Sequence, residues 1–232
     1  MTEARRILSL INESPPADEQ ERGLTYYHGT PNWKAAQKIM REGIRPGSEI
    51  SSKKSDDDWD DDDDDLLRPV ADRVYITPNL HIALVYALGG DVAGSKERIL
   101  PGDFDTPADR YGCVFEISGS SVNDIQPDED IIGMLIHDKK YPWLNRLAEE
   151  ECDGRDLKMV SYGEYKYWAK VGKELIPFLT VEQQHILMKD PKMNMAHKGA
   201  IKPVSAWKVD KCDTPKYKPD GSNFFEVAKK VR

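Results

Sequence analysis

The stretch LTYYHGTPNW, residues 24–33, runs through apolar and aromatic residues and stops on His28, Gly29 and Thr30. Further on, Tyr75 lies in RVYIT, and Tyr86 follows eleven residues later in a helical pattern. Residues of these types can grip a flat ring. Two tyrosine rings can stack on it, and a cationic ring gains about 0.5–1 kcal/mol per exposed contact, more when desolvated. A glycine lets a ligand approach the backbone closely. A histidine fixed at a strand end can hydrogen-bond a hydroxyl, and Thr30 can bond ligand or backbone. Each residue alone also has an ordinary packing role, such as Tyr86 beside Ile82, Ala83 and Val85. Their order and spacing carry the functional reading.

The elements that must position them are marked by their punctuation. A strand is expected at 24–28 and a helix at 32–42, with Trp33, Ala36, Ile39 and Met40 at helical spacing and Gly43 to end it. A strand over 73–77 sets Val74 and Ile76 on one face and Tyr75 on the other. Pro78 and Asn79 open a helix that runs through Leu88 and stops at Gly89-Gly90. GCVFEIS (112–118) reads as a further strand, 130–190 as mostly helical, and 196–209 as two short strands broken at Pro203. A short amphipathic helix is expected at 4–13, followed by a proline-containing linker. The expected organisation is an N-terminal helix and linker (1–22), one α+β domain (23–210) and a polar, irregular tail (211–232). The domain contains an acidic loop (45–69) and a helical insertion (130–190).

The net charge of −8 is misleading, because nine aspartates crowd into DDDWDDDDDD at 56–65 and the rest of the chain is nearly neutral. Like charges with almost nothing apolar to bury predict a disordered loop there. The run lacks the glycine and terminal glutamate of an EF-hand. The 232 residues are enough to bury a sizeable core. Cys113, Cys152 and Cys212 are odd in number and widely spaced, a poor disulfide framework. With no signal-peptide pattern and no run of about 20 apolar residues, a soluble cytoplasmic protein without a membrane partner is expected. The five histidines are too scattered to suggest a metal site, and no G-x-S-x-G, P-loop or HExxH occurs.

With YYHGT at a strand end and VYITPNLHIALVYA placing Tyr75 and Tyr86 one helix apart, the chain resembles the ADP-ribosyltransferase superfamily. The likeness is to its diphtheria-toxin-like and poly(ADP-ribose) polymerase-like branch, and covers roughly 24–90, with weaker echoes at 112–118 and 196–209. The resemblance implies a split, mostly antiparallel sheet with flanking helices. It implies NAD as substrate, held by His28, Gly29, Thr30, Tyr75 and Tyr86, and a glycosyltransferase chemistry that breaks the nicotinamide–ribose bond and passes ADP-ribose to a macromolecular acceptor, protein or nucleic acid. That bond breaks through an oxocarbenium-like transition state, as in glycoside hydrolysis.

The family's late-strand glutamate has no counterpart here. Anchoring on KGAIKP places Asn194 at that position, with no acid between Lys192 and Ile201. The expected catalytic set is therefore His28, Tyr75 and Asn194, with His197 a nearby surface residue. The acid is otherwise sought at Glu116, Glu164 or elsewhere in the helical region. Lack of the glutamate argues against chain elongation, hence for mono-ADP-ribosyl transfer. Two other readings stand beside it. One is an RNA 2′-phosphotransferase-like enzyme of the same fold, for which Arg41, Arg45 and Arg73 are available. The other is a non-catalytic protein that binds NAD or ADP-ribose, or docks a partner.

Overall fold

The computed structural model describes residues 25–46, 72–89, 99–218 and 220–231. The expected N-terminal helix and linker lie outside the described residues, as does the acidic loop beyond its first two positions.

Two antiparallel sheets form the body. The first orders its strands β1 (Thr25–Thr30), β3 (Tyr111–Ser118), β6 (Ser205–Asp210) and β7 (Lys229–Lys230); the second places β5 (Met195–Lys198) between β2 (Arg73–Ile76) and β4 (Ile125–Pro127). An isolated antiparallel bridge, Tyr27 with Thr77, joins β1 to the end of β2 and so connects the sheets. Alternation does the sorting. Tyr26, Val74, Ile76, Phe115 and Ile117 are buried together with Met195 and Ala206 in one core.

Helix α1 (Trp33–Glu42) starts where the Asn32 side chain accepts the N–H groups of Lys34 and Ala35, and ends at Gly43, whose φ of 86° suits glycine. Helix α2 (Leu80–Leu88) is capped by Asn79 and closes at Gly89. It lies on β1 and β3, burying Ala83, Leu84, Ala87 and Leu88 against Val114, Val209 and Phe224.

The insertion is helical as expected: α3 (Glu129–Leu135), α4 (Pro142–Glu151), α5 (Gly154–Ser161), α6 (Tyr165–Leu175) and α7 (Val181–Met188). It has a core of its own, built from Ile132, Leu135, Leu144, Val171, Leu175 and Leu187 among others. Helices α3 and α6 touch backbone to backbone. A Cβ on Gly133 would fall well inside 3.0 Å of the Trp168 carbonyl, and one on Gly172 equally close to that of Glu129.

The C-terminal segment departs from the irregular tail expected of it. A 3-10 turn (Lys211–Lys216), a short helix α8 (Phe224–Val227) and β7 return the chain to the first sheet. Phe224 is fully buried beside Trp207 and Tyr217. Phe224, Ala228 and the Phe225–Trp207 contact, with the β6–β7 pairing, hold this polar segment on the body.

Candidate functional site

The two sheets part next to the Tyr27–Thr77 bridge. There the N–H of each residue donates to the carbonyl of the other, at 2.7 and 2.9 Å. Tyr27 therefore turns its backbone away from β3. By alternation so does Gly29, two residues on, and in antiparallel register from the bridge Gly29 faces Tyr75. The strands diverge at this point, and the His28 side chain crosses the gap. Its Nδ1–H donates to the Tyr75 carbonyl at 2.9 Å. A carbonyl only accepts, so the proton is on Nδ1; burial lowers the His28 pKa, which keeps the ring neutral and leaves Nε2 an acceptor.

Gly29 has a second reason to be glycine. The Cβ it lacks would fall 2.8 Å from the Tyr86 Cβ and 2.9 Å from the Ala87 nitrogen, and closer still to the Ala83 carbonyl. The missing side chain thus seats α2 on the strand, while the backbone edge of Gly29 faces the wedge. Ligand approach was the expected use of its smallness; the packing under α2 is a further use of it. Tyr86 is carried to the same place by that packing. It is not a core residue, being 54% exposed. Burial of its hydroxyl end and the negative charges of Asp128 and Asp130 raise its pKa, against a hydrogen bond from the Asn194 amide. Thr30 ends β1 on the same strand face as His28 and is buried.

On the second sheet Tyr75, Ala196 and Gln126 form one cross-strand row. Steps of two along β5 and β4 bring Asn194 and Asp128 to the same face as Tyr75. The backbone continues the ladder, with the Asp128 N–H donating to the Asn194 carbonyl at 3.0 Å. Chain reversal into α3 then swings Glu129 over the sheet, and the Tyr75 hydroxyl donates to Glu129 Oε1.

Glu129 is a buried acid beside Tyr75 that the sequence analysis did not name. It lies at the first residue of the helical region rather than on the late strand. Of the acids considered instead, Glu164 is exposed ahead of α6, and Glu116 sits on β3 opposite Tyr27. Only 2% of Glu129 is exposed, and its Oε2 has no hydrogen-bond partner. Asn194 is likewise 5% exposed with an unpartnered Oδ1. Its Nδ2 donates to Asp128 Oδ2 at 3.3 Å, an orientation forced by the carboxylate. Glu129 Oε2 and Asn194 Oδ1 are thus two buried acceptors without donors among the described residues, groups that a ligand, an ion or a water would satisfy.

Asp128 caps α3 by accepting the Asp130 N–H at 3.0 Å. Burial first, then the charges of Asp130 and Glu129, push its pKa up to about 7 despite that bond and the one from Asn194. A carboxyl at that value can accept or return a proton near neutrality.

His197 does not join the site. It alternates with Ala196 to the opposite face of the sheet and is buried, with Nε2 3.2 Å from Asn123 Oδ1. It is therefore not the surface residue expected. Among the described residues no group of three or more His, Cys, Asp or Glu could hold a metal ion, and no helix is long and apolar enough to cross a membrane. Comparisons with protein-family models, curated proteins and solved structures find no match to this chain.

Proposed function

We propose that the chain is an NAD-dependent mono-ADP-ribosyltransferase, with Glu129 in the role the family gives to a late-strand glutamate. The observation that carries the reading is the linked set of His28, Tyr75 and Glu129. His28 is bonded to the Tyr75 carbonyl, Tyr75 to Glu129, and Glu129 keeps a buried carboxylate oxygen without a partner. Two sheets parting beside one bridge accord with the split sheet of the transferase fold.

In this reading the wedge between Gly29 and Tyr75 takes the nicotinamide. The backbone of Gly29 meets its carboxamide, and the rings of Tyr75 and Tyr86 wall it in. His28 Nε2 accepts from a ribose hydroxyl. Glu129 Oε2 accepts from another and sets fixed negative charge beside the carbon where positive charge develops, the electrostatic term that counts most in such steps. The hydroxyl of Tyr75 holds Glu129 in that pose. Asn194 supports the arrangement rather than replacing the acid. A reducing, cytoplasmic setting goes with this reading, as Cys113, Cys152 and Cys212 are free.

The phosphotransferase alternative gains nothing from the arginines. Arg73 donates to the Asp124 carbonyl at 3.0 Å and lies beside Asp72 and Asp124, Arg45 pairs with Glu42 at 3.7 Å, and Arg41 is exposed on α1. Incubation with NAD and measurement of released nicotinamide tests the proposal. Release that is lost in Glu129→Gln supports it; binding of NAD without any release would favour a non-catalytic protein.

A further inference from the structure

Helix α1 carries Lys34, Lys38 and Arg41 at steps of four and three, and each is exposed. The helix lies on the first sheet, with Ala36 in the core shared by Phe115 and Ala206. By alternation Lys208 is on that same face of β6, and the register sets Lys229 of β7 directly opposite it. Contacts at both ends lay the segment 201–208 alongside α1, running the other way. At one end Ile44, just past the helix, bridges Ile201. There the Lys202 side chain comes within 3.5 Å of where a Cβ on Gly43 would stand. At the other end Lys208 Nζ lies over the Trp33 ring, 4.6 Å from its centroid, and over Tyr111 at 3.5 Å.

Little answers these charges. Lys34, Lys38, Arg41, Lys202, Lys208 and Lys229 form no ion pair among the described residues. Two acids of the same elements are engaged elsewhere, Glu42 with Arg45 at 3.7 Å and Asp210 with Arg110 Nε at 2.9 Å. Like charges opposite one another on neighbouring strands cost stability, so the fold gains nothing from Lys229 facing Lys208. Exposed apolar side chains accompany the lysines. Val204, between Lys202 and Lys208, is 57% exposed, and Val231, whose N–H donates to the Ala206 carbonyl at 2.9 Å, is 38% exposed. In a chain of net charge −8 this face is locally positive.

We propose that this face, α1 with the β6–β7 edge, binds single-stranded nucleic acid through its phosphates. Cations four residues apart on a helix are separated by about 6 Å along its axis, of the order of the distance between successive phosphates on an extended strand. Two rows of cations side by side suit a linear polyanion, and a local positive face is the electrostatic footprint of such binding. Val204 and Val231 offer apolar surface to unstacked bases, which a single strand presents and a duplex hides. The face lies on the β6–β7 side of the first sheet, whereas His28 and Gly29 stand on β1 at its other edge. It is separate from the proposed transfer site, and strand binding there makes no statement about the acceptor.

The test titrates the full chain into a fluorescent single strand of about 12 nucleotides, within the usual range of site sizes, and follows anisotropy. With four phosphates neutralised, affinity should fall about 50-fold between 50 and 200 mM salt, at a slope of about −0.7 per phosphate. Lys38→Gln combined with Lys229→Gln should weaken binding about tenfold or more at the lower salt and reduce the slope by about 1.4. Lys139→Gln combined with Lys189→Gln removes the same charge from exposed lysines of the helical unit and should change neither. The duplex of the same sequence should bind more weakly. Equal losses in the two double variants, binding to the duplex as tight as to the single strand, or displacement of the strand by polyaspartate at equal charge overturns the proposal. So does a preference for phosphatidylserine vesicles, or no binding at the lower salt.

Discussion

Gly172 of α6 packs directly on the backbone of Glu129, with no room for a Cβ between them. The position of the acid therefore depends on a glycine 43 residues away in sequence. Gly172→Ala must push α3 from α6 and move Glu129 from Tyr75. Overpacking of this kind costs about 1–3 kcal/mol, and a misplacement near 1 Å can cost about 10²-fold in rate. Nicotinamide release should fall far more than the urea midpoint. Wild-type turnover in a variant of lowered stability would show that the contact is structural only.

Glu129→Gln keeps an acceptor for the Tyr75 hydroxyl but removes the charge. Turnover should drop by about 10²–10³-fold, the scale of losing one fixed electrostatic partner, with little change in the circular dichroism spectrum. Turnover within threefold of wild type would remove Glu129 from the mechanism.

Asp128 links the site to pH. Its pKa rises from the ordinary 3.8 to about 7. Between those values the folded state binds more protons than the unfolded one, so this group lowers stability as pH rises through the window. Asn caps helices as well as Asp, so Asp128→Asn should remove the burden. We expect the variant to be more stable than wild type at pH 8, by on the order of a few kcal/mol at about 1.36 kcal/mol per unit. The advantage should vanish toward pH 4. Parallel denaturation curves at both pH values decide it; equal stability at pH 8 would contradict the assignment.

The strand end separates binding from folding. Tyr86 is half-exposed, and His28 gives one hydrogen bond to the fold, so Tyr86→Ala and His28→Ala should each cost no more than about 1–2 kcal/mol of stability while losing NAD binding. Gly29→Ala should behave differently. Its Cβ has no space under α2, and the melting temperature should fall with activity. Calorimetry on all three gives the contrast, and a Gly29→Ala protein as stable as wild type would refute the packing role.

Phe224 closes the core above α2. Phe224→Ala should cost about 3–5 kcal/mol, as large-to-small changes in a full core do, and should loosen the helix that carries Tyr86. A melting curve superimposable on wild type would return this segment to the status of a dispensable tail.

Much of this was readable in the chain. Asn32, Gly43, Asn79 and Gly89 each act through local geometry, so the helices that follow His28 and Tyr75 announce themselves. Asn194 was singled out by counting back from a late strand, and it lies buried beside Asp128 next to β5. Glu129 was not legible. In QPDED an acid at a helix start has an ordinary capping role, and only the pairing of β4 with β5 brings it to Tyr75, 54 residues away. His197 failed for the same reason: which face it takes depends on register. The tail was misjudged on average polarity, although Phe224 and Phe225 stand together within it.

The order of the first sheet sets a timetable for assembly. Strand β3, between β1 and β6, pairs with segments from opposite ends of the described chain, 25–30 and 205–210. The helical unit, by contrast, draws nearly all its core from 129–193. Local contacts form early and distant ones late, so the helices can close on one another, with Glu129 at their edge, before the sheet that must receive it is complete. On a ribosome, β1 leaves about 180 residues ahead of the end of β6. At about 5–20 residues per second it waits on the order of ten seconds or more for that sheet to be finished. Through that interval an apolar strand edge is open to other chains, and the newborn protein depends on dilution or on chaperones to reach β6 unpaired.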